Sequence, residues 1–240
     1  MSRLLILFAA LLSLSSVQAA NVVVYTDFAL WAAAAGAPLT IDFETPDASA
    51  GNVLINGDEY AGLAGSPNLS FTPTPGLNTA DGNGDLQVGE AVPGALDVGP
   101  SSGDQLLFPG LFKQGAYGNG GVLRLTADQP LNAAAAVFSD IEAGETTTGF
   151  DTDLDGEIDV LFSDFLTPVE GATLFLGFVT DMPLAAVDIH VNSANGDPGN
   201  GADGVGLDDL SYNTVVPIPA AAWLFVSALA GLGWFGRRKA

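Results

Sequence analysis

The chain has 240 residues, 28 of them acidic and six basic, with a net charge of −22, a single histidine and no cysteine. Such a surface repels phosphate backbones, which excludes nucleic acid as a partner. The missing cysteines exclude disulfides, thiol nucleophiles, thiolate zinc sites and iron–sulfur clusters, and the lone His190 excludes multi-histidine metal sites.

Residues 1–19 carry one early charge, Arg3, then an apolar run from Leu4 to Leu14, and Val17 and Ala19 before Ala20. That pattern predicts a cleaved signal peptide; a permanent N-terminal anchor needs a longer apolar run. Residues 20–214 then form one domain of ordinary size. All the acidic residues lie between the two ends of the chain, but only Lys113 and Arg124 of the basic ones do. A surface of that sign attracts cations and keeps an exported protein soluble.

Within the domain, Thr26 or Asp27 caps a short helix with Phe28, Trp31, Ala32 and Ala35 on one face, ended by Gly36 and Pro38. Strands follow. Leu39, Ile41 and Phe43 alternate with Thr40, Asp42 and Glu44. Leu123 and Leu125 flank Arg124; Ile158, Val160 and Phe162 alternate with Glu157, Asp159 and Leu161; Val187, Ile189 and Val191 alternate with Asp188, His190 and Asn192. The run from Ala172 to Val179 is apolar throughout, as suits a central strand covered on both faces. Loops rich in Gly, Asn, Asp and Pro separate these segments, notably 76–103 and 192–206. The prediction is an all-β fold, an antiparallel β-sandwich of jelly-roll type with one short N-terminal helix.

The densest chemistry is Asp151-Thr152-Asp153-Leu154-Asp155-Gly156-Glu157-Ile158-Asp159. Alternate acids around a central Gly match most of a calcium loop, in which hard oxygens from one tight turn converge on one ion. Phe162 stands where the full motif has its bidentate Glu, and the flanking helices are missing, so this is no EF-hand. Asp155-Gly156 also reads as a plain hairpin turn, but a turn does not need five carboxylates that repel one another. The expected ligands are Asp151, Asp153, Asp155 and Asp159, with Glu157 contributing through its backbone. A second cluster, Asp81 to Asp85 with Glu90, has Leu86 where the Gly should stand and reads as a polar loop. Asn195, Asp197, Asn200 and Asp203 suit sugar hydroxyls, with Tyr60, Tyr117 and Tyr212 as the aromatic candidates. A polysaccharide-degrading enzyme needs only an Asp/Glu pair, yet among so many acids no pair stands out. Gly99-Pro100-Ser101-Ser102-Gly103 matches Gly-x-Ser-x-Gly only in letters, since it lies in a Gly- and Pro-rich loop rather than between a strand and a helix, and His190 reads as a solvated strand residue beside Asp188.

The chain closes with residues 215–240. Val216-Pro217-Ile218-Pro219-Ala220 leads into an uncharged stretch from Ala220 to Gly236, followed by Arg237-Arg238-Lys239. This tripartite tail resembles the PEP-CTERM sorting signals, in the variant named for Val-Pro-Leu-Pro-Ala, with Ile218 in place of Leu. The resemblance implies a transmembrane helix over 220–236, transient anchoring in the inner membrane with the basic end in the cytoplasm, and cleavage by an exosortase. It also implies release to the cell surface or an exopolysaccharide matrix. The strand Ile41-Asp42-Phe43-Glu44 and the closing Leu207-Asp208-Asp209-Leu210 resemble concanavalin-like jelly rolls, among them MAM domains and carbohydrate-binding modules, and together with the short helix and the central Phe175-Leu176-Gly177-Phe178 their order resembles a domain common in PEP-CTERM proteins. By that resemblance Glu44 and Asp208 or Asp209 share a structural calcium ion. The alternative is that these are exposed acids at strand ends. The expected function is a non-catalytic, glycan-binding or calcium-stabilised surface module; the alternative is a secreted polysaccharide-degrading enzyme.

Overall fold

A computed structural model of the chain describes residues 21–45, 47, 53–73, 86–90, 103, 105–109, 121–141, 148–167, 172–191 and 205–215. The expected signal peptide, the sorting motif with its apolar helix, the Asp81–Asp85 cluster, Tyr117 and the loop of Asn195 to Asp203 lie outside these residues. Among the described residues, no helix is long and apolar enough to cross a membrane.

The elements in chain order are β1 (Val22–Tyr25), α1 (Phe28–Ala35), β2 (Leu39–Ile41), β3 (Val53–Ile55), β4 (Asn68–Pro73), β5 (Leu86–Glu90) and β6 (Gln105–Pro109). They continue with β7 (Gly121–Ile141), β8 (Gly149–Asp151), β9 (Val160–Leu161), α2 (Phe162–Phe165), β10 (Ala172–Val191) and β11 (Gly206–Thr214). The fold is all-β. Among the described residues one antiparallel sheet runs in the order β3-β5-β6-β11-β7-β10-β8-β9, with β1 added to β10, β2 to β11 and β4 to β7.

Local chemistry accounts for α1. The Asp27 carboxylate accepts the Leu30 N–H at 2.9 Å, and Gly36, at φ 99°, ends the helix. Trp31 is fully buried against β10 and donates its indole N–H to the Phe178 carbonyl at 3.0 Å. Gly177 makes that approach feasible, since a Cβ there would come within 2.9 Å of Trp31 Cδ1 and 2.5 Å of Ala135 Cβ. The apolar run of β10 is therefore covered by α1 on one face and by the core on the other. Phe28, predicted on the buried face, stays half-exposed, with its ring edge-on to Phe175 at 5.6 Å and tilted against Trp31 at 5.9 Å.

The two long strands β7 and β10 share an irregular middle. Val179 pairs with Ala133, Leu184 with Leu131 and Ala186 with Thr126, so extra residues bulge first from β10 and then from β7. Pro183 and Pro130 occupy these bulges, where no ladder N–H is required. Neighbours change across this point. The first part of β7 pairs with β4 and its later part with β11, while β10 pairs first with β1 and then with β8. Leu123 and Leu125 from before the β7 bulge and Phe138 from beyond it belong to one core cluster, which Phe178 and Ile189 join from the two parts of β10.

Two alternations are modified. β2 stops at Ile41 because Phe43 takes φ 57°, which turns its ring into the core against Tyr60 at 5.7 Å. The pattern over 157–162 yields only the two-residue β9, because the Phe162 N–H bonds Thr148 O and the chain enters α2. Tyr60 and Tyr212 are core residues rather than sugar platforms, and the Tyr212 hydroxyl donates to Ala64 O at 2.6 Å.

Candidate metal centre

β8 is added to the outer side of β10, with Phe150 opposite Ile189 and Asp151 opposite Asp188. Phe150 anchors the hairpin in the core between Phe138 and Phe178, with centroids at 6.1 and 5.3 Å. Alternation then turns Asp151 to the other face, where it is nevertheless fully buried. The cover is its own loop. Leu154 at φ 64° and Gly156 at φ 92° wrap the backbone round the carboxylate, whose Oδ1 accepts the Leu154 N–H at 2.6 Å and Oδ2 the Gly156 N–H at 2.9 Å. Asp159 closes the loop from the far side, with Oδ2 accepting from the Thr152 N–H at 2.7 Å and hydroxyl at 2.6 Å.

This folding brings one carboxylate oxygen each from Asp151, Asp153 and Asp159 within 4.8 Å of one another. Two oxygens on the same calcium ion, each at about 2.3–2.6 Å, are at most about 5 Å apart, so the spacing fits one ion. Asp155 and Glu157 are exposed and stand outside the group; Asp155 Oδ1 accepts the Glu157 N–H at 2.8 Å. Asp153 shows the strain of the arrangement. Its carboxyl is held above the ordinary range, first by desolvation and then by the charges of Asp155, Asp159 and Asp151, against the opposing hydrogen bond from the Asp155 N–H.

Glu44 accepts the Gln105 N–H at 3.0 Å, while the Gln105 amide donates to Glu44 O at 3.1 Å. Asp208 is fully buried and accepts the Asp209 N–H at 2.8 Å, and Asp209 sits at φ 46° within a register shift of β11. Among the described residues, Glu44, Asp208 and Asp209 join no group of three or more metal-ligating side chains.

Two neighbours of the loop escape a reading of residue spacing. His190 is not solvated: its side chain is only 13% exposed, because β8 lies alongside and places Gly149 opposite it. Its Nε2 is 3.9 Å from Asp151 Oδ2, beyond hydrogen-bond range, and has no hydrogen-bond partner among the described residues. Asp188 is bound in bidentate fashion by Arg124, Nε to Oδ1 at 2.6 Å and Nη2 to Oδ2 at 2.7 Å, a bond that raises the Arg124 pKa further. The alternation of β7 and β10 places both side chains on the polar face, but only the register sets them opposite each other. No known protein family matches this chain, and neither a curated protein nor a solved structure does.

Proposed function

We propose that this chain is an exported surface or matrix protein, non-catalytic, whose domain is stabilised by calcium and binds glycans. The observation that carries the reading is the convergence of Asp151, Asp153 and Asp159 within 4.8 Å around a buried carboxylate. Three such charges repel one another without a cation, and a bound divalent ion reverses the sign of that interaction and stabilises the fold by mass action. Export by the N-terminal signal peptide, transient inner-membrane anchoring through residues 220–236 and exosortase cleavage near Val216 to Ala220 complete the proposal; the tail motif supports them. The domain is read as a jelly-roll sandwich. Its support is the pair of long strands that change neighbours at Pro130 and Pro183 while lining one core.

The test screens the full chain, with calcium and with chelator, for binding to a glycan panel and for hydrolysis of the same polysaccharides. Calcium uptake together with glycan binding and no turnover is the expected result. Turnover abolished by a single Asp or Glu substitution would replace this reading with that of a polysaccharide-degrading enzyme.

A further inference from the structure

Ser70, Thr72, Val122, Arg124 and Asp188 line an open groove of about 240 Å³. The register explains why they meet: Ser70 pairs with Arg124, Arg124 with Asp188 and Thr72 with Val122, so one face of β4, β7 and β10 presents all five. Four of the five are polar, and rigid strands hold them in place, so a ligand pays little ordering cost on binding. Arg124 is the only Lys or Arg among the described residues. Two of its five N–H groups go to Asp188, and the half-exposed side chain leaves the other three for a ligand. Asp188, only 8% exposed, keeps acceptor capacity on the same fork.

A fixed donor fork beside a carboxylate and two hydroxyls suits a pair of adjacent hydroxyl groups, whose oxygens accept from Arg124 while their O–H groups donate to Asp188, Ser70 or Thr72. Anions are disfavoured. The charge of Arg124 is already matched by Asp188, Asp151 stands next in the same cross-strand row, and the chain carries −22. The volume falls below the roughly 300–1,000 Å³ of pockets for drug-sized ligands, which limits the contact to about one or two sugar rings. From these observations we propose that this groove is a binding site for neutral carbohydrate, recognised through vicinal hydroxyls by Arg124 and Asp188. The proposal rests on the glycan-binding reading above and gives that reading a place on the molecule.

The test titrates tetrasaccharides of glucose, galactose and mannose, and a polyuronate tetrasaccharide, into the full chain held in a detergent without a sugar headgroup. Calorimetry reads binding to wild type, to Arg124→Lys and to Ser70→Ala/Thr72→Val; thermal melting checks that each variant is folded. The hydroxyl double variant leaves the Arg124–Asp188 pair intact and decides the matter if Arg124→Lys does not fold. A neutral tetrasaccharide should bind wild type, about tenfold more weakly to Arg124→Lys and several-fold more weakly to the hydroxyl variant. Neutral binding unchanged in the folded variants would overturn the groove and leave the glycan reading standing. Preference for the polyuronate would overturn the neutral class, and no binding to any sugar would overturn both.

Discussion

Asp153→Asn is the substitution that separates a calcium loop from a simple acidic turn. In the structure the Asp153 carboxylate accepts one hydrogen bond, from the Asp155 N–H at 3.2 Å, and an asparagine oxygen accepts the same bond. The change also removes a charge from beside Asp151, Asp155 and Asp159, whose charges add to desolvation in holding the Asp153 pKa up. With chelator present, the variant should therefore be as stable as wild type or slightly more so. Asp151→Asn behaves differently. Its two oxygens serve the Leu154 and Gly156 N–H groups separately, and an amide offers one oxygen, so about 1–3 kcal/mol is lost whatever the metal. Calcium at a hundred times its Kd stabilises wild type by about 2.7 kcal/mol. For a domain of this size that raises Tm by roughly 5–11 °C. Removing one of three converging carboxylates should weaken binding by about tenfold or more, which takes away at least about 1.4 kcal/mol of that gain. Calorimetric scans with chelator, with calcium and with sodium chloride at matched ionic strength measure all three quantities. An equal calcium-dependent rise in wild type and Asp153→Asn, or an equal rise with sodium chloride alone, would refute the reasoning.

Burial pushes the Tyr212 phenol up to about 12, with the Asp128 charge adding to it, and burial raises Tyr60 as well. The folded protein then holds these protons more tightly than the unfolded chain, whose tyrosines titrate near about 10. Stability is thus intact below that pH and falls as pH rises through about 12; tyrosinate absorbance should show both groups ionising only as the protein unfolds. Trp31→Phe leaves the Phe178 carbonyl without its indole donor and opens a gap over Gly177, so the urea midpoint should drop by the equivalent of about 2–4 kcal/mol at constant m. A loss under about 0.5 kcal/mol would show that α1 contributes little through this contact. In cells that contain an exosortase, mass spectrometry should find a mature C-terminus between Val216 and Ala220 and an N-terminus at Ala20; an intact Ala240 would sink the sorting proposal.

Features set by near neighbours in the chain were legible in advance. Asp27 and Gly36 mark both ends of α1, and the alternations about Arg124 and about Asp188 match the buried Leu123, Leu125, Val187 and Ile189. The spacing of acids about Gly156 identifies the loop, but which three converge depends on how Leu154 and Gly156 turn the backbone. Long-range register was not legible. Phe43 leaves its strand beside a Glu44 that is fastened to Gln105, and His190 is buried by a β8 strand whose pairing no local pattern encodes. The Arg124–Asp188 fork joins residues 64 positions apart, a match that only the pairing of β7 with β10 creates.

The first and last segments of the described fold depend on each other. Val22 finds its ladder partner at Thr180, Leu39 at Tyr212, and the Ala35 carbonyl meets the Asn213 amide. As the chain emerges from the ribosome, β1, α1 and β2 therefore wait for nearly all the rest before they can dock. Folding of this kind, dominated by distant contacts, is slow and completes late. β11 is both the last described strand and the one that lies between β7 and β2, so a chain ending before Gly206 loses more than the pairing of the nine-residue β11 itself. It exposes the flank of β7 and strands β2, leaving open edges of the kind that recruit other chains. Premature termination here should yield aggregates rather than a smaller working protein.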